Sequence, residues 1–496
     1  MLRTYPLYTA AQVRQLDRHA IEQAGIPGYT LMSRAGKVAW DLIRNCWPDA
    51  HSLMILCGTG NNGGDGYVIA RLALAAGYSV QVMQLGDTTR IRGDALTARE
   101  AYLAAGGRAE PFTGRMPGHV ELVIDAVLGT GLERPPEGEW LAAVELLNAG
   151  MLPVLALDIP SGLHADTGRE LGTAVRADLT VTFIGRKPGL YTGQGPELAG
   201  KVVFDDLQVP ASVYQPVLVL AELLNGVTGE LPVLQRSRTA HKGEYGHVLV
   251  IGGEQGMSGA AQLAGLAALR SGAGLVSVAT RPAHAAVMAA VSPELMCHGI
   301  SGAAELAPLL SRATVVAIGP GLGRSDWSRQ LLSRVLESRL PLVVDADALN
   351  LLASEPVTRD NWIITPHPGE AGRLLAMPAA DIQQDRLAAV RELVDRYGGT
   401  AVLKGAGSVV CTADRPLAVC TAGNPGMATA GMGDVLTGVI AALVAQGLSL
   451  PDAAILGVCL HGQAGDRAAA AGERGMLARD LIDELRHLLN AQGKAV

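Results

Sequence analysis

Residues Thr421 to Gly438 read Thr-Ala-Gly-Asn-Pro-Gly-Met-Ala-Thr-Ala-Gly-Met-Gly-Asp-Val-Leu-Thr-Gly, a glycine-rich turn that leads into an apolar helical run. Its one ionisable side chain is Asp434. Gly431 and Gly433 let the backbone approach a ligand, and the free N–H groups that open the helix form an anion site. A carboxylate there would repel a phosphate unless it accepts a proton from a hydroxyl or amine as a phosphoryl group arrives. The stretch predicts a phosphoryl-transfer site; the alternative is an ordinary acidic residue in a first helical turn.

The residues before this stretch predict a mainly parallel sheet. Apolar runs bounded by glycine, proline and polar clusters alternate with helical patterns, as in βαβ units. The predicted strands are Gly246 to Ile251, Leu275 to Ala279, Thr314 to Ile318, Pro341 to Val344, Trp362 to Ile364 and Ala401 to Leu403, with a helix at Ala260 to Leu269.

Polar motifs follow several of these strands. They are Gly319-Pro-Gly-Leu-Gly323, Asp345-Ala-Asp-Ala-Leu-Asn350, Thr365-Pro-His-Pro-Gly-Glu370 and Lys404-Gly-Ala-Gly-Ser408. No Gly-x-x-x-x-Gly-Lys-Ser/Thr motif occurs, so a nucleotide is not expected in a P-loop. Lys404 is placed to contact a phosphate tail, although a lone lysine is more often a solvated charge, and His367 between two prolines is more often structural than catalytic.

Taken together with Asn424 to Asp434, these motifs resemble, in family order, the NAD(P)H-hydrate dehydratases of the ribokinase-like superfamily. The resemblance implies that Asp434 deprotonates the ring hydroxyl while the turn at Ala430 to Gly433 stabilises the phosphoryl group transferred from ADP or ATP with Mg²⁺. The residues implied to line the hydrate pocket are Ala260, Gly323, His367 and Asp434. Those implied to hold the adenine nucleotide are Lys404, Gly405, Ala406, Gly407, Ser408 and Gly433.

The first half of the chain shows a second ligand-binding pattern. Thr9 to Gln12 has the form of a capping box that opens a helix. A predicted strand at Ser52 to Cys57 runs into Gly58-Thr-Gly-Asn-Asn-Gly-Gly-Asp-Gly66, and a predicted helix follows at Tyr67 to Ala76. The glycines satisfy Gly-x-Gly-x-x-Gly, which permits a dinucleotide-binding Rossmann interpretation. The polar residues within the loop weaken that interpretation without excluding it.

Further strands of the first half end in acidic residues. Val120 to Ile124 runs into Asp125, and Pro153 to Leu157 runs into Asp158 and then Ser161. The carboxyl ends of parallel strands lie at one edge of a sheet, so these groups are expected to converge with Asn62. Their oxygen ligands suit a hard cation. Each residue taken alone is more often a turn former.

Three motifs in this half resemble the YjeF N-terminal family of NAD(P)H-hydrate epimerases: Gly-Asn-Asn-Gly-Gly-Asp-Gly, Asp-Ala-Val-Leu-Gly-Thr-Gly and Asp-Ile-Pro-Ser-Gly. The resemblance implies a K⁺ site formed by Asn62, Asp125 and Ser161, with Asp158 as the acid/base residue. The residues implied to contact the hydrated nucleotide are Asn61, Asn62, Gly63, Gly64, Asp65, Gly129, Thr130, Gly131, Leu132, Glu133, Arg134, Pro135 and Asp158.

The length of 496 residues predicts at least two domains. We expect an epimerase domain at residues 1–215, a linker at 216–235 and a dehydratase domain at 236–496. The fold class is α/β: a Rossmann-like three-layer α/β/α sandwich followed by a ribokinase-like α/β/α domain. The core is expected to consist of aliphatic residues, because hydrophobic residues make up 49% of the chain and aromatic residues only 4%.

Charge and cysteine content exclude several functions. The formal net charge is −7, with basic residues scattered along the chain, so no nucleic-acid surface is expected. No apolar run predicts a membrane span or a signal peptide. The six cysteines lack metal-binding spacing and lie mostly in apolar runs, which indicates reduced thiols in a cytoplasmic protein. The family resemblance implies a homo-oligomer.

Together these features predict a bifunctional repair enzyme whose substrates are the hydrated forms of NADH and NADPH. One activity interconverts the two hydrate epimers, and the other dehydrates one epimer at the expense of ADP or ATP. Two alternatives differ in class. The second half is alternatively a small-molecule kinase that releases a phosphorylated alcohol, and the first half is alternatively a nucleotide-binding or scaffolding module without activity.

Overall fold

The computed structural model describes residues 2–116, 118–227 and 236–490, which form two compact units. One unit is Pro6–Ala221; the other comprises residues 2–5 and the described residues from Glu222 onward. Within these ranges no helix is both long enough and apolar enough to cross a membrane.

Eighteen strands occur in the described residues. They are β1 (Leu2–Leu7), β2 (Ser52–Cys57), β3 (Ser79–Gln84), β4 (Ala109–Pro111), β5 (Leu122–Ala126), β6 (Val154–Leu157), β7 (Leu179–Phe183), β8 (Lys201–Asp205), β9 (Ala221–Val227), β10 (His247–Ile251), β11 (Leu275–Thr280), β12 (Met296–Gly299), β13 (Val315–Ile318), β14 (Leu342–Val344), β15 (Trp362–Ile364), β16 (Thr400–Leu403), β17 (Ser408–Thr412) and β18 (Leu417–Cys420).

Seventeen α-helices connect or flank these strands within the described ranges. They are α1 (Ala10–Glu22), α2 (Gly28–Cys46), α3 (Asn61–Ala75), α4 (Gly93–Ala104), α5 (Glu139–Ala149), α6 (Gly195–Leu198), α7 (Ser258–Arg270), α8 (Pro282–Val291), α9 (Ala307–Leu310), α10 (Asp326–Leu336), α11 (Ala346–Ser354), α12 (Pro368–Leu375), α13 (Ala379–Gln384), α14 (Arg386–Tyr397), α15 (Met432–Ala445), α16 (Leu450–Ala468) and α17 (Ala478–Asn490).

The first unit is a three-layer α/β/α sandwich. Its seven strands are all parallel, in the order β4-β3-β2-β5-β6-β7-β8. Alternate residues of β2 belong to two different cores: Leu53 and Ile55 pack with α2 and α3, whereas Met54 and Leu56 pack with α5. Both sheet faces are thus covered, which explains why the central strands β2 and β6 are nearly continuous apolar runs.

The second unit contains an eleven-stranded sheet in the order β1-β9-β18-β17-β16-β15-β14-β13-β10-β11-β12. From β16 to β12 all neighbours are parallel, whereas β16, β17 and β18 pair antiparallel. One face packs on α7, α15, α16 and α17. The sequence prediction of two α/β domains, each built on a mainly parallel sheet, is confirmed.

The structure corrects the predicted glycine loop at Gly58 to Gly66. Helix α3 begins at Asn61, six residues before the predicted start at Tyr67, so most of that loop is the first two helical turns. Packing explains the glycines there. A Cβ atom on Gly63 would lie 2.1 Å from the carbonyl oxygen of Gly58, and one on Gly66 would lie 2.8 Å from the Ala126 side chain. These glycines let α3 pack closely on the sheet.

Two further differences concern strands. The stretch predicted as a linker contains β9, which joins the second sheet beside β18, while residues 228–235 of that stretch lie outside the described residues. Asp125 was expected just after its strand, but it is the fourth residue of β5. The predicted capping box at Thr9 and Gln12 is confirmed, with hydrogen bonds of 3.1 and 2.8 Å between them.

Candidate active sites

The first candidate site is a cavity of about 540 Å³ in the first unit, at the carboxyl ends of its central strands. The start of α3, the loop after β5 and Asp158 after β6 contribute to its wall. The predicted contact residues that line it are Asn61, Asn62, Asp65, Gly129, Thr130, Gly131, Leu132 and Asp158. The other predicted residues are not part of this lining: Gly63 and Gly64 are buried within α3, and Glu133, Arg134 and Pro135 lie further along the loop.

Asp158 has a strained and asymmetric environment. Its φ angle of 65° places it in the left-handed region, which is unfavourable for a residue with a side chain. Oδ1 accepts hydrogen bonds from the Thr182 hydroxyl at 3.2 Å, from the backbone N–H of Phe183 at 3.4 Å and from Lys187. Among the described residues no donor reaches Oδ2, so this oxygen is the one available to a ligand.

Lys187 is a functional candidate that the sequence reasoning missed. Its side chain is fully buried, and its ammonium group donates to Asp158 Oδ1, to the Thr182 hydroxyl at 3.0 Å and to the Phe183 carbonyl at 3.1 Å. A buried cation with three acceptors is fixed in place, and it neutralises the charge of Asp158. Its position at the carboxyl end of β7, beside the two acidic strand ends, was a signal that could have identified it.

Three other carboxyl groups line the same cavity, those of Asp17, Asp65 and Asp94. Burial raises the pKa of Asp17 to about 6, although Lys187 opposes the shift. Burial also raises the pKa of Asp65 well above its usual range, with a further contribution from the charge of Asp158. The cavity therefore combines carboxyl groups in different electrostatic environments around one buried lysine.

The predicted cation ligands converge on the peptide group of Leu128. The Asn62 amide donates to the Leu128 carbonyl at 3.1 Å, and the Leu128 N–H donates to Ser161 Oγ at 2.8 Å. Ser161 in turn donates through its hydroxyl to Asp125 Oδ1 at 2.6 Å and through its N–H to Oδ2 at 2.8 Å. Asn62 Oδ1 is buried and has no hydrogen-bond partner, and burial raises the pKa of Asp125 to about 6. An orphaned oxygen beside a buried carboxyl group fits a bound cation.

The second candidate site lies in the second unit, where strand ends meet the start of α15. Lys404 Nζ is 2.7 Å from Asp345 Oδ1 and 3.8 Å from Glu370 Oε2, and the Thr437 hydroxyl donates to Asp345 Oδ2 at 2.7 Å. Burial alone would lower the pKa of Lys404, but Asp345 and Glu370 offset it, so the pKa is raised. The ammonium is therefore held charged among carboxylates.

Asp434 lies in the first turn of α15, three residues after the N-cap Gly431, whose φ angle is 90°. Burial and the charge of Asp345 raise the pKa of Asp434 to about 7, with partial compensation by Lys404. A Cβ atom on Gly433 would lie 3.3 Å from Lys404 Nζ and 3.7 Å from Asp345 Oδ2. The structure thus places the glycine turn, Lys404 and Asp434 together.

The Lys404 to Ser408 loop is held from behind by Arg386, which the sequence reasoning also missed. This buried guanidinium donates to the carbonyl oxygens of Leu403 at 3.1 Å, Lys404 at 3.3 Å and Gly407 at 3.3 Å. The Ser408 hydroxyl donates to the Gly405 carbonyl at 3.0 Å, and Ala406 lies exposed between the two glycines. The loop is a fixed turn rather than a loose surface segment.

The remaining predicted residues have local structural partners. His367 caps α12: Nδ1 accepts from the N–H of Gly369 at 2.9 Å, while Glu370 Oε2 accepts from the N–H of His367 at 2.8 Å. The N–H of Gly323 donates to Asp347 Oδ2 at 2.9 Å. Ala260 lies beside Gly321, since a Cβ atom on that glycine would be 3.1 Å from the Ala260 side chain.

The structure is that of a two-domain α/β protein in which each unit brings aspartate and lysine side chains together at strand ends. Residues 28–189 match the family described as YjeF-related protein N-terminus, and residues 248–487 match the family described as NAD(P)H-hydrate dehydratase.

Whole-chain relatives carry both parts. The chain is 49% identical over 486 residues to the bifunctional NAD(P)H-hydrate repair enzyme Nnr of Coxiella burnetii, covering 98% of this chain and 99% of the relative. It is 44% identical to the protein of the same name in Escherichia coli, with 98% and 95% covered. A solved ADP/ATP-dependent NAD(P)H-hydrate dehydratase from Bacillus subtilis is 30% identical, with a TM-score of 0.46, over 53% of this chain and 94% of that one.

The chain belongs to the family of bifunctional NAD(P)H-hydrate repair enzymes. It is an enzyme with both an epimerase and a dehydratase activity, as the sequence predicted. The alternatives of a kinase that releases a phosphorylated alcohol and of an inactive first half are set aside by this membership.

Proposed function

We propose that each activity occupies one structural unit and depends on one carboxylate: Asp158 for epimerisation in the first unit and Asp434 for dehydration in the second. The observation that supports this division best is the geometry of the two carboxylates. Each lies at the carboxyl edge of its own parallel sheet, beside a buried lysine, Lys187 or Lys404. The substrates are the hydrated forms of NADH and NADPH.

In the epimerase unit, Asp158 Oδ2 exchanges a proton with the hydroxyl-bearing ring of the substrate, while Lys187 holds Oδ1. The polar start of α3 and the Gly129 to Leu132 loop bind the nucleotide around it. The predicted contacts at Glu133, Arg134 and Pro135 would require that loop to move inward.

Asn62, Asp125 and Ser161 would hold K⁺ in this unit, and the unpaired Asn62 oxygen supports that assignment. A bound cation supplies positive charge that favours the ionised form of Asp125 and attracts the anionic nucleotide. Asn62 and Ser161 already hold the backbone of Leu128, and Asp125 holds Ser161, so the loop that follows β5 is fixed at its start.

In the dehydratase unit, Asp434 removes the proton of the ring hydroxyl as a phosphoryl group of ADP or ATP reaches it. The N–H groups at the start of α15 stabilise the transferring group, and Lys404 contacts the phosphates. The phosphorylated hydroxyl then leaves with the electron pair of its carbon–oxygen bond. The adjacent ring carbon releases a proton and a ring double bond forms, which restores the reduced nicotinamide and yields phosphate with AMP or ADP. The carboxylates beside Lys404 offer oxygen ligands of the kind that Mg²⁺ takes, and a bound Mg²⁺ would neutralise charge on the nucleotide.

The direct test is incubation of hydrated NADH with ADP or ATP while the absorbance of the reduced nicotinamide is followed. Both epimers should be converted, with one nucleotide consumed for each nicotinamide restored. Accumulation of a phosphorylated ring alcohol without recovery of NADH would contradict the proposed dehydratase chemistry and favour a simple kinase.

We also propose a cytoplasmic location and self-association. The free cysteines of the described chain, four of the six buried, support a reducing compartment, and the family resemblance supports a homo-oligomer. Sedimentation of the purified full chain tests the second point, since a single monomeric species would contradict it.

A further inference from the structure

One face of helix α1 forms a wall of the epimerase cavity. The cavity-lining residues of this helix are Val13, Arg14, Asp17 and Ile21, which helical spacing brings to one side. Helix α1 precedes residue 28, where the match to the YjeF-related family begins. Asp17 presents a carboxyl group to the substrate cavity from this helix.

The Asp17 carboxyl group is half-buried and unpaired. Within residues 2–116, 118–227 and 236–490, no side chain or backbone group donates a hydrogen bond to it. The ionisable groups that act on it are Lys187 after β7, Asp158 after β6, its neighbour Arg18 and Asp65 on α3, and Arg14 lines the cavity next to it. Asp17 is therefore influenced by the same buried lysine as Asp158, but Asp17 lies on a helix whereas Asp158 follows a strand.

We propose that Asp17 is a second catalytic residue of the epimerase, which gives a proton to the ring nitrogen of the hydrated nicotinamide while Asp158 takes the proton of the ring hydroxyl. This inference rests on the assignment of Asp158 proposed above.

The chemistry of the substrate requires two such groups. Water adds to a reduced nicotinamide at the carbon bonded to the ring nitrogen, because nitrogen stabilises positive charge there, so the hydroxyl and the nitrogen share one carbon. When Asp158 removes the hydroxyl proton, the O–H electron pair forms a carbonyl bond and the carbon–nitrogen bond breaks. The electron pair of the broken carbon–nitrogen bond passes to the nitrogen, which takes the proton of Asp17. The product is an open-chain aldehyde, with Asp158 protonated and Asp17 ionised.

Rotation of the aldehyde exposes its opposite face to the nitrogen. The nitrogen then attacks the carbonyl carbon and returns its proton to Asp17, while the carbonyl oxygen takes the proton from Asp158. The ring closes with the hydroxyl on the other face, and both carboxyl groups return to their starting states. No oxidant, reductant or additional reactant is needed.

The surroundings of the two groups suit these opposite roles. Lys187 donates a hydrogen bond to Asp158 Oδ1, which holds the carboxylate with Oδ2 available to the substrate. Asp17 makes no such contact, and burial raises its pKa to about 6, close to the pH at which it has to release and regain a proton. Two carboxyl groups whose environments differ in this way form an acid/base pair.

The test measures interconversion directly, by chromatography of the two epimers after one purified epimer is mixed with the full-length protein. Asp17→Asn should lower the epimerisation kcat roughly 10²-fold, as expected for loss of a positioned acid. In the wild type, kcat/KM should fall as the pH rises through about 6, because Asp17 loses its proton. This alkaline decrease should be absent in Asp17→Asn and present in Asp17→Glu, which should recover at least tenfold of the lost rate.

Controls separate a chemical role from a structural one. Asp41→Asn, an exposed position on α2, should leave epimerisation within twofold of wild type, and the dehydratase rate of each variant reports an intact second unit. The proposal is overturned if the epimerisation kcat of Asp17→Asn stays within threefold of wild type. It is also overturned if that kcat falls but the decrease of kcat/KM with rising pH remains, or if Asp65→Asn alone removes this decrease. If the wild type itself does not interconvert the epimers, the proposed epimerase site fails instead.

Discussion

Asp158 and Asp434 serve different chemistry because their neighbours differ. Asp158 is oriented by a buried ammonium and two further donors on one oxygen. Burial, together with the charges of Asp345, Asp347 and Glu370, raises the pKa of Asp434 to about 7, while Lys404 partly compensates. A carboxylate with a pKa near the operating pH is suited to accept a proton and release it in each turnover.

The environment of Asp434 leads to a prediction for dehydration. Asp434→Asn should lower the dehydration kcat roughly 10²-fold or more, because the variant cannot accept the hydroxyl proton. In the wild type, kcat/KM for the hydrate should rise with pH and level off above about 7, since Asp434 must be ionised to act as the base. Rates of NADH recovery across pH 5 to 9 provide the measurement.

Asp483→Asn on the exposed surface of α17 is the matched control and should retain the wild-type profile. An Asp434→Asn variant with an unchanged rate, or a wild-type rate that falls as the pH rises from 6 to 7, would remove Asp434 from the role of base.

The sequence revealed the residues that sit in recognisable motifs and missed those that act through tertiary contacts. Asp434, Asp158 and Asn62 occur in glycine-rich motifs or at strand ends, where a local pattern identifies them. Lys187 and Arg386 carry no such pattern. Their roles depend on burial against groups distant in the chain, and burial of a charged side chain is known only once the fold is known.

At the level of elements, the polar glycine-rich segment at the start of α3 has two tasks. Asn61 and Asn62 face the cavity from the first turn, whereas Gly63 and Gly66 face the sheet at distances that exclude a side chain. The sequence of this segment therefore predicts a loop, but the segment forms a helix. The contacts that stabilise this helix are made with the sheet and not between neighbouring residues.

This packing predicts a stability difference between two glycines. Gly63→Ala should destabilise the first unit by about 1–3 kcal/mol despite the better helix propensity of alanine, because the new Cβ atom meets the backbone of Gly58. At roughly 2–4 °C per kcal/mol for a unit of this size, the melting temperature should fall by several degrees. Calorimetry of the full chain measures this.

Gly60→Ala is the matched control, because a Cβ atom there has no neighbour within 4 Å and its φ angle is −94°. Its melting temperature should stay close to that of the wild type. Equal melting temperatures for Gly63→Ala and Gly60→Ala would contradict the packing argument.

Strand prediction succeeded where the strand is central and apolar. Ser52–Cys57 and Trp362–Ile364 were predicted with the bounds that the structure shows. The antiparallel pair β17 and β18 was missed, although both strands contain apolar residues, since pairing with β16 is a tertiary relation that the strand-helix alternation of the other segments does not predict.

For the whole molecule, the fusion of two units follows from the chemistry of the substrate. Hydration creates two epimers, and a phosphoryl-transfer site with one positioned base selects one of them. A dehydratase alone would leave the other epimer unrepaired. A unit that equilibrates the epimers lets the second unit clear both, and each unit has its own sheet, core and carboxylate.

The measurement that tests this division most directly follows recovery of NADH from an equal mixture of the two hydrate epimers, with ADP in excess, over times short compared with spontaneous epimerisation. The wild type should recover all of the NADH, Asp158→Ala should stop after the half that the dehydratase accepts directly, and Asp434→Asn should recover almost none while still interconverting the epimers. Complete recovery by Asp158→Ala, at the rate of the wild type, would contradict the assignment of epimerisation to the first unit.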